Sequence, residues 1–171
     1  MRITNELIQA EQDILHRVAD LPVNLSALAV ASNIWRASQS FRLTLERTVL
    51  REYELTWSSF STLFIIWVWG PIGMSAIAEH QFVSRPTVTS AVTQLEKRGY
   101  CIRQTAAQEA DTQRDRRTVR VALTETGRTL IEEVFPKFNQ GEADFVNPLT
   151  PEEQETLAYL LRKLVSENKQ A

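Results

Sequence analysis

Apolar positions in this chain recur with two periods, and most of them follow the helical one. Leu7, Ile8, Ile14, Leu15 and Val18 mark a short amphipathic helix over residues 4–19. It is stopped at Leu21-Pro22, because a residue before proline is pushed out of the helical region. Asn24 can cap a second helix that reaches about Leu50, with Leu28, Ala31, Ile34, Trp35, Phe41, Leu45 and Val49 as its stripe. A stripe that long needs a partner helix as well as the chain's own core. After a break at Glu54-Leu55-Thr56, with Thr56 as N-cap, the segment Trp57 to Trp69 is apolar on nearly every side, so it reads as a central buried helix ended by Gly70-Pro71. Towards the other end, Thr124 caps a helix carrying Leu130, Ile131, Val134, Phe135 and Phe138, and Asn147-Pro148 interrupts the pattern. Thr150-Pro151-Glu152-Glu153 is a capping box with proline in the first turn, and Leu157, Leu160, Leu161 and Leu164 then follow at helical period.

The middle of the chain combines both periods. Met74 to Glu79 reads as a short helix, His80-Gln81-Phe82-Val83 as a turn, and Ser84 to Arg98 as a longer helix with Ser84 as N-cap and Pro86 in the first turn. Val88, Ala91, Val92 and Leu95 form its inner row. The opposite face carries Ser90, Thr93 and Lys97, flanked by Thr87, Thr89 and Gln94. Its side chains are short, hydrogen-bonding and mildly cationic, as a helix in a DNA major groove requires. Gly99 ends this helix. A strand over Tyr100–Gln104, an arginine-rich polar loop and a second strand with alternating Val119, Val121 and Leu123 complete a basic ribbon. The fold class that results is mainly α with a small β-wing, a winged helix-turn-helix.

Charge sharpens this picture. The chain as a whole carries −2. Between Ser84 and Arg120, however, eight cations face four carboxylates, a local +4 that leaves −6 for the remainder, so a basic face on an acidic body can orient the approach to phosphates. The lone cysteine, Cys101, excludes an intrachain disulfide and suits a reducing cytoplasm. The N-terminus is too polar for a signal peptide, and the longest apolar run, Leu63 to Trp69, is too short to span a bilayer. The expected location is therefore the cytoplasm, with no membrane partner.

These pieces, in this order, resemble the MarR family of bacterial transcription regulators over residues 24–168. The resemblance is carried by Leu55-Thr56, Val83-Ser84-Arg85-Pro86-Thr87-Val88-Thr89, Leu95-Glu96-Lys97-Arg98-Gly99-Tyr100, Asp115-Arg116-Arg117, Leu123-Thr124 with Gly127, and Leu149-Thr150-Pro151-Glu152-Glu153. It implies a homodimer whose terminal helices pack across a two-fold axis, a pseudo-palindromic double-stranded DNA operator, repression as the mode of control, and a small aromatic or anionic effector that releases the DNA. It also implies that Arg117 enters the minor groove, held by Asp115, since a planar guanidinium suits a narrow, negative groove. Three features depart from the family pattern: Ser90 stands where an arginine is common, the wing loop is about six residues longer through Ala106–Ala110, and residues 1–23 are an addition. The division expected is an extension over 1–23, a helical dimerisation region from 24–53 and 125–171, and a winged domain over 54–124.

The candidate DNA contacts are Ser84, Arg85, Pro86, Thr87, Thr89, Ser90, Thr93, Gln94 and Lys97 on the helix, with Arg103, Arg114, Asp115, Arg116 and Arg117 in the ribbon. Glutamine suits adenine, arginine suits guanine, and threonine or serine suits phosphate or the thymine methyl. Arg103 is expected to contact phosphate. Leu28, Leu157, Leu160, Leu161 and Leu164 are the candidate dimer contacts, because one winged domain has no core left to cover all the end stripes and a second copy has. Trp35, Arg42, Trp57 and Trp67 are candidates for an effector site, against a plain core role for the tryptophans and a simple ion pair for Arg42. His16 and His80 have no ligand cluster at metal spacing, and no nucleophile–base pair or phosphate loop is present, so neither an enzyme, a metal nor a cofactor is expected. The rival readings are a winged helix that docks proteins, and a binding protein or enzyme for aromatic compounds. The arginine-rich wing and the carboxylate-free helix face oppose the first; the missing acid–base pair opposes the second.

Overall fold

The computed structural model describes residues 8–105 and 119–168. Its chain divides into two compact units, Met1–Leu43 and Thr44–Ala171. In the first unit, α1 (Gln9–Arg17) is shorter than the expected 4–19 segment, whose first residues lie outside those described. The following helix, α2 (Leu25–Thr48), begins where expected: Asn24 Oδ1 accepts from the Ala27 amide at 3.0 Å. Glu11 ties the two together by accepting from Asn33 Nδ2 at 2.7 Å. Within this unit the expected stripe is largely uncovered: Leu28 is half-buried, whereas Ile34 and Trp35 are exposed.

The second unit holds the core. A 3-10 turn at Leu50–Tyr53 leads to α3 (Trp57–Trp69), where Thr56 Oγ1 accepts from the Ser59 amide and Glu46 Oε1 from the Trp57 amide. Phe60, Leu63, Ile65 and Ile66 of α3 are buried. The expectation of burial on every side fails in its last turn, where Val68 and Trp69 are about half exposed at 47% and 51% because that turn runs past the core to Gly70. A two-residue strand, β1 (Ile72–Gly73), which the apolar pattern does not reveal, precedes α4 (Met74–Gln81). This helix continues two residues beyond the expected Glu79, since Gln81 Nε2 reaches the buried Thr62 hydroxyl at 2.8 Å and anchors the extra turn. The turn is thus Phe82-Val83, with Phe82 at φ +54°.

Next come α5 (Arg85–Lys97), β2 (Cys101–Thr105) and β3 (Val119–Leu123), in an antiparallel sheet of order β1-β3-β2. Arg103 lies opposite Val121, and Cys101 opposite Leu123. Alternation along β3 is weaker than expected, because in a central strand Ala122 is covered as well as Val121. The chain ends in α6 (Glu125–Val146) and α7 (Pro151–Glu167), opened by Thr124 and by the Thr150–Glu153 capping box. Leu63, Ile77, Val88, Val92, Val121, Ile131 and Val134 meet in the core at 0% exposure.

Candidate nucleic-acid interface

The site is built by the two faces of α5. Val88, Ala91, Val92 and Leu95 are at most 4% exposed, which fixes the rotation of the helix about its axis. With that rotation set, Arg85, Pro86, Thr89, Ser90, Thr93, Gln94 and Lys97 line one open concavity of about 680 Å3. Seven of the nine helix residues singled out from sequence are thus brought together. The other two work at the helix start: Ser84 Oγ accepts from the Thr87 amide at 3.4 Å and shares a 2.8 Å hydrogen bond with the Thr87 hydroxyl. No carboxylate is among the seven lining residues.

Arg103 is not the free cation that a simple phosphate contact supposes. Its guanidinium pairs with Glu96 through Nη1 and donates to Thr93 Oγ1 through Nη2 at 3.0 Å, and its amide donates to Glu96 Oε1 at 3.2 Å. Arg98 is committed elsewhere. It donates to the carbonyls of Glu54 and Tyr53 at 2.7 and 3.0 Å and lies over the Tyr100 ring, locking the end of α5 to the turn before α3. Sequence reasoning missed the roles of Glu96, Glu46 and Arg98. No period links Glu96 to Arg103 or Arg98 to Glu54, because the chain reversals that join them are tertiary. Arg114, Asp115, Arg116 and Arg117 lie outside the described residues.

The effector candidates fall apart by unit. Trp35 is 64% exposed in the first unit, which also holds Arg42. Trp57 and Trp67 belong to an aromatic chain in the second, with Trp57 beside Phe138 at 5.8 Å and Trp67 beside Phe135 at 5.5 Å. Cys101 is a core residue as expected: burial, with Glu96 nearby, pushes its thiol up to about 11. His80 stacks on Trp69, and among the described residues no group of three metal-ligating side chains occurs. No helix there is long and apolar enough to cross a membrane. Along α7 no residue is buried, and Leu157, Leu160, Leu161 and Leu164 are 38–49% exposed.

Comparison with known proteins bears on the family and the fold. The MarR family pattern matches residues 55–109. The chain is 38% identical over 162 residues to the uncharacterized HTH-type transcriptional regulator YwaE of Bacillus subtilis, covering 93% of this chain and 91% of the relative. Among solved structures it is similar to Bordetella bronchiseptica BpsR, whose DNA binding is regulated by 6-hydroxynicotinic acid, with a TM-score of 0.70, 26% identity and coverage of 80% and 98% of the two chains. Its fold also matches a cysteine-to-serine mutant of Escherichia coli MarR complexed with operator DNA, with a TM-score of 0.70, 23% identity and coverage of 81% and 95%. These relatives are regulators and not enzymes.

Proposed function

Because this chain belongs to the MarR family of transcriptional regulators, we propose that it represses transcription as a homodimer seated on a pseudo-palindromic operator, and that a small aromatic acid releases it. The observation that carries the DNA-binding part is the carboxylate-free outer face of α5, with Arg85 at its first turn and Lys97 at its last. Twelve residues of helix separate these cations by about 18 Å, so they can reach phosphates on either side of a major groove about 12 Å wide while the polar side chains between them face base edges. Arg114, Asp115, Arg116 and Arg117 enter the proposal on the family resemblance, as the wing's minor-groove reader.

Dimerisation is supported by α7. A 17-residue helix without one buried residue gains little from its own chain, and its exposed leucines sit on one face. A second copy covers them and sets the two recognition helices about 34 Å apart, one DNA turn. Leu160→Glu places a carboxylate in that contact, so light scattering should read a monomer and operator binding should be lost, although Leu160 is far from any DNA-facing residue in sequence. A wild-type protein that is monomeric and still binds a full operator tightly refutes the dimer.

The effector class follows BpsR, whose ligand is an aromatic acid. Trp35 and Arg42 in one unit, and Trp57 and Trp67 in the other, are the side chains whose separate substitution tests it. The decisive experiment is a gel shift on the DNA upstream of the protein's own gene, repeated across salt concentrations and with added aromatic acids. Expected are a complex whose affinity falls steeply with salt and its release by one such acid. Absence of any DNA complex would return the protein-docking reading.

A further inference from the structure

The hydroxyls along the outer face of α5 are not all free to read bases. Thr89 Oγ1 donates to the Arg85 carbonyl at 3.0 Å, and Thr93 Oγ1 donates to the Thr89 carbonyl at 2.8 Å. A hydroxyl has one proton, so neither threonine keeps a donor for a base edge. Thr93 is held more firmly still, because its oxygen also accepts from Arg103 Nη2 at 3.0 Å and that guanidinium is paired with Glu96. With each oxygen turned back along the helix, the γ-methyl is the group that the side chain offers to a ligand. The two threonines stand four residues apart on one face and line the same concavity.

In a major groove, one base edge presents an apolar group: thymine, through its 5-methyl. We infer that Thr89 and Thr93 form an apolar reading edge for thymine 5-methyl groups, and that Glu96 and Arg103 are positioning residues which keep the Thr93 oxygen turned inward. The inference rests on the reading of α5 as the recognition helix. It goes beyond that reading by choosing, between the phosphate and the thymine methyl that a threonine can contact, the methyl, because both hydroxyl protons are already committed to backbone carbonyls.

The test uses duplexes selected from a random-sequence pool by the full-length protein. Each thymine of the protected half-site is replaced singly by deoxyuridine, which removes the methyl and nothing else. Burial of one methyl corresponds to roughly a four-fold change in affinity. Wild-type protein should lose about that factor at one or two thymines. Thr93→Ser should abolish the penalty at one of them, and Thr93→Val, which keeps the methyl without the hydroxyl, should retain it. Half-sites lacking thymine, a wild type indifferent to every deoxyuridine, or a folded Thr93→Ser that keeps every penalty would overturn the inference. The wild-type series can overturn the inference even if Thr93→Ser unfolds, and Thr89→Ser then carries the assignment with the same expected loss of one penalty. A pool from which no duplex is recovered would instead refute DNA binding itself, and the inference with it.

Discussion

Replacing Gly127 by alanine sets two effects of opposite sign against each other. Helix propensity alone favours the change, by at most about 1 kcal/mol for glycine to alanine within a helix. The tertiary structure opposes it. A Cβ at position 127 would lie 1.9 Å from the Tyr100 carbonyl oxygen and 2.8 Å from its carbon, and both are backbone atoms that no rotamer change can move. The first turn of α6 would have to lift from the end of α5. That displacement strains two bonds that hold the junction, Thr124 N–H to the Tyr100 carbonyl at 3.1 Å and the Thr124 hydroxyl to the Gly99 carbonyl at 2.6 Å. Overpacking costs about 1–3 kcal/mol and the two bonds about 1 kcal/mol each, so a net loss of about 2–4 kcal/mol remains after the propensity gain. For a chain of this length that lowers the melting temperature by about 4–16 °C. Far-UV circular dichroism melts of wild type and Gly127→Ala read the difference. A melting temperature that is unchanged or raised would refute the close approach of α6 to the Tyr100 carbonyl.

Other outcomes follow from the same contacts. Gly141→Ala should be much milder than Gly127→Ala in the same melts, because its Cβ would meet a Leu45 side-chain methyl, which can rotate aside. Burial raises the Cys101 thiol to about 11, so a thiol reagent at pH 8 should modify unfolded protein quickly and native protein hardly at all; equal rates would remove Cys101 from the core. The sign of the linkage agrees: below the ordinary thiol value of about 8.5 the cysteine's contribution to stability is complete, and it declines as pH rises towards 11. Glu96→Gln should release the Arg103 charge towards phosphate, strengthening binding to DNA of any sequence several-fold at low salt and steepening the salt slope by about one. An unchanged affinity and an unchanged slope would show that Arg103 stays on Thr93, away from phosphate, even without the Glu96 charge.

Much of this protein was legible in its residue pattern, and the legible parts share a cause. The bounds of α3, the N-caps at Asn24, Thr56, Ser84, Thr124 and Thr150, and the inner row of α5 are set by interactions within a few residues, where the chain carries its own record. The outer face of α5 was legible for the same reason: once Val88 and Leu95 are inside, helical geometry dictates what faces out. What only the tertiary structure decided involves residues far apart in the chain or short in extent. β1 has two residues, too few to show a period, and exists because β3 offers it an edge. The extra turn of α4 depends on Thr62, nineteen residues before Gln81. Arg103 looked like a solvent-exposed cation until β2 folded back along α5 and brought it to Glu96 and Thr93. That contact pairs Arg103 with Glu96 and Thr93 instead of leaving it open to solvent, because the energy of a charge depends on its neighbours in space and local sequence does not specify them.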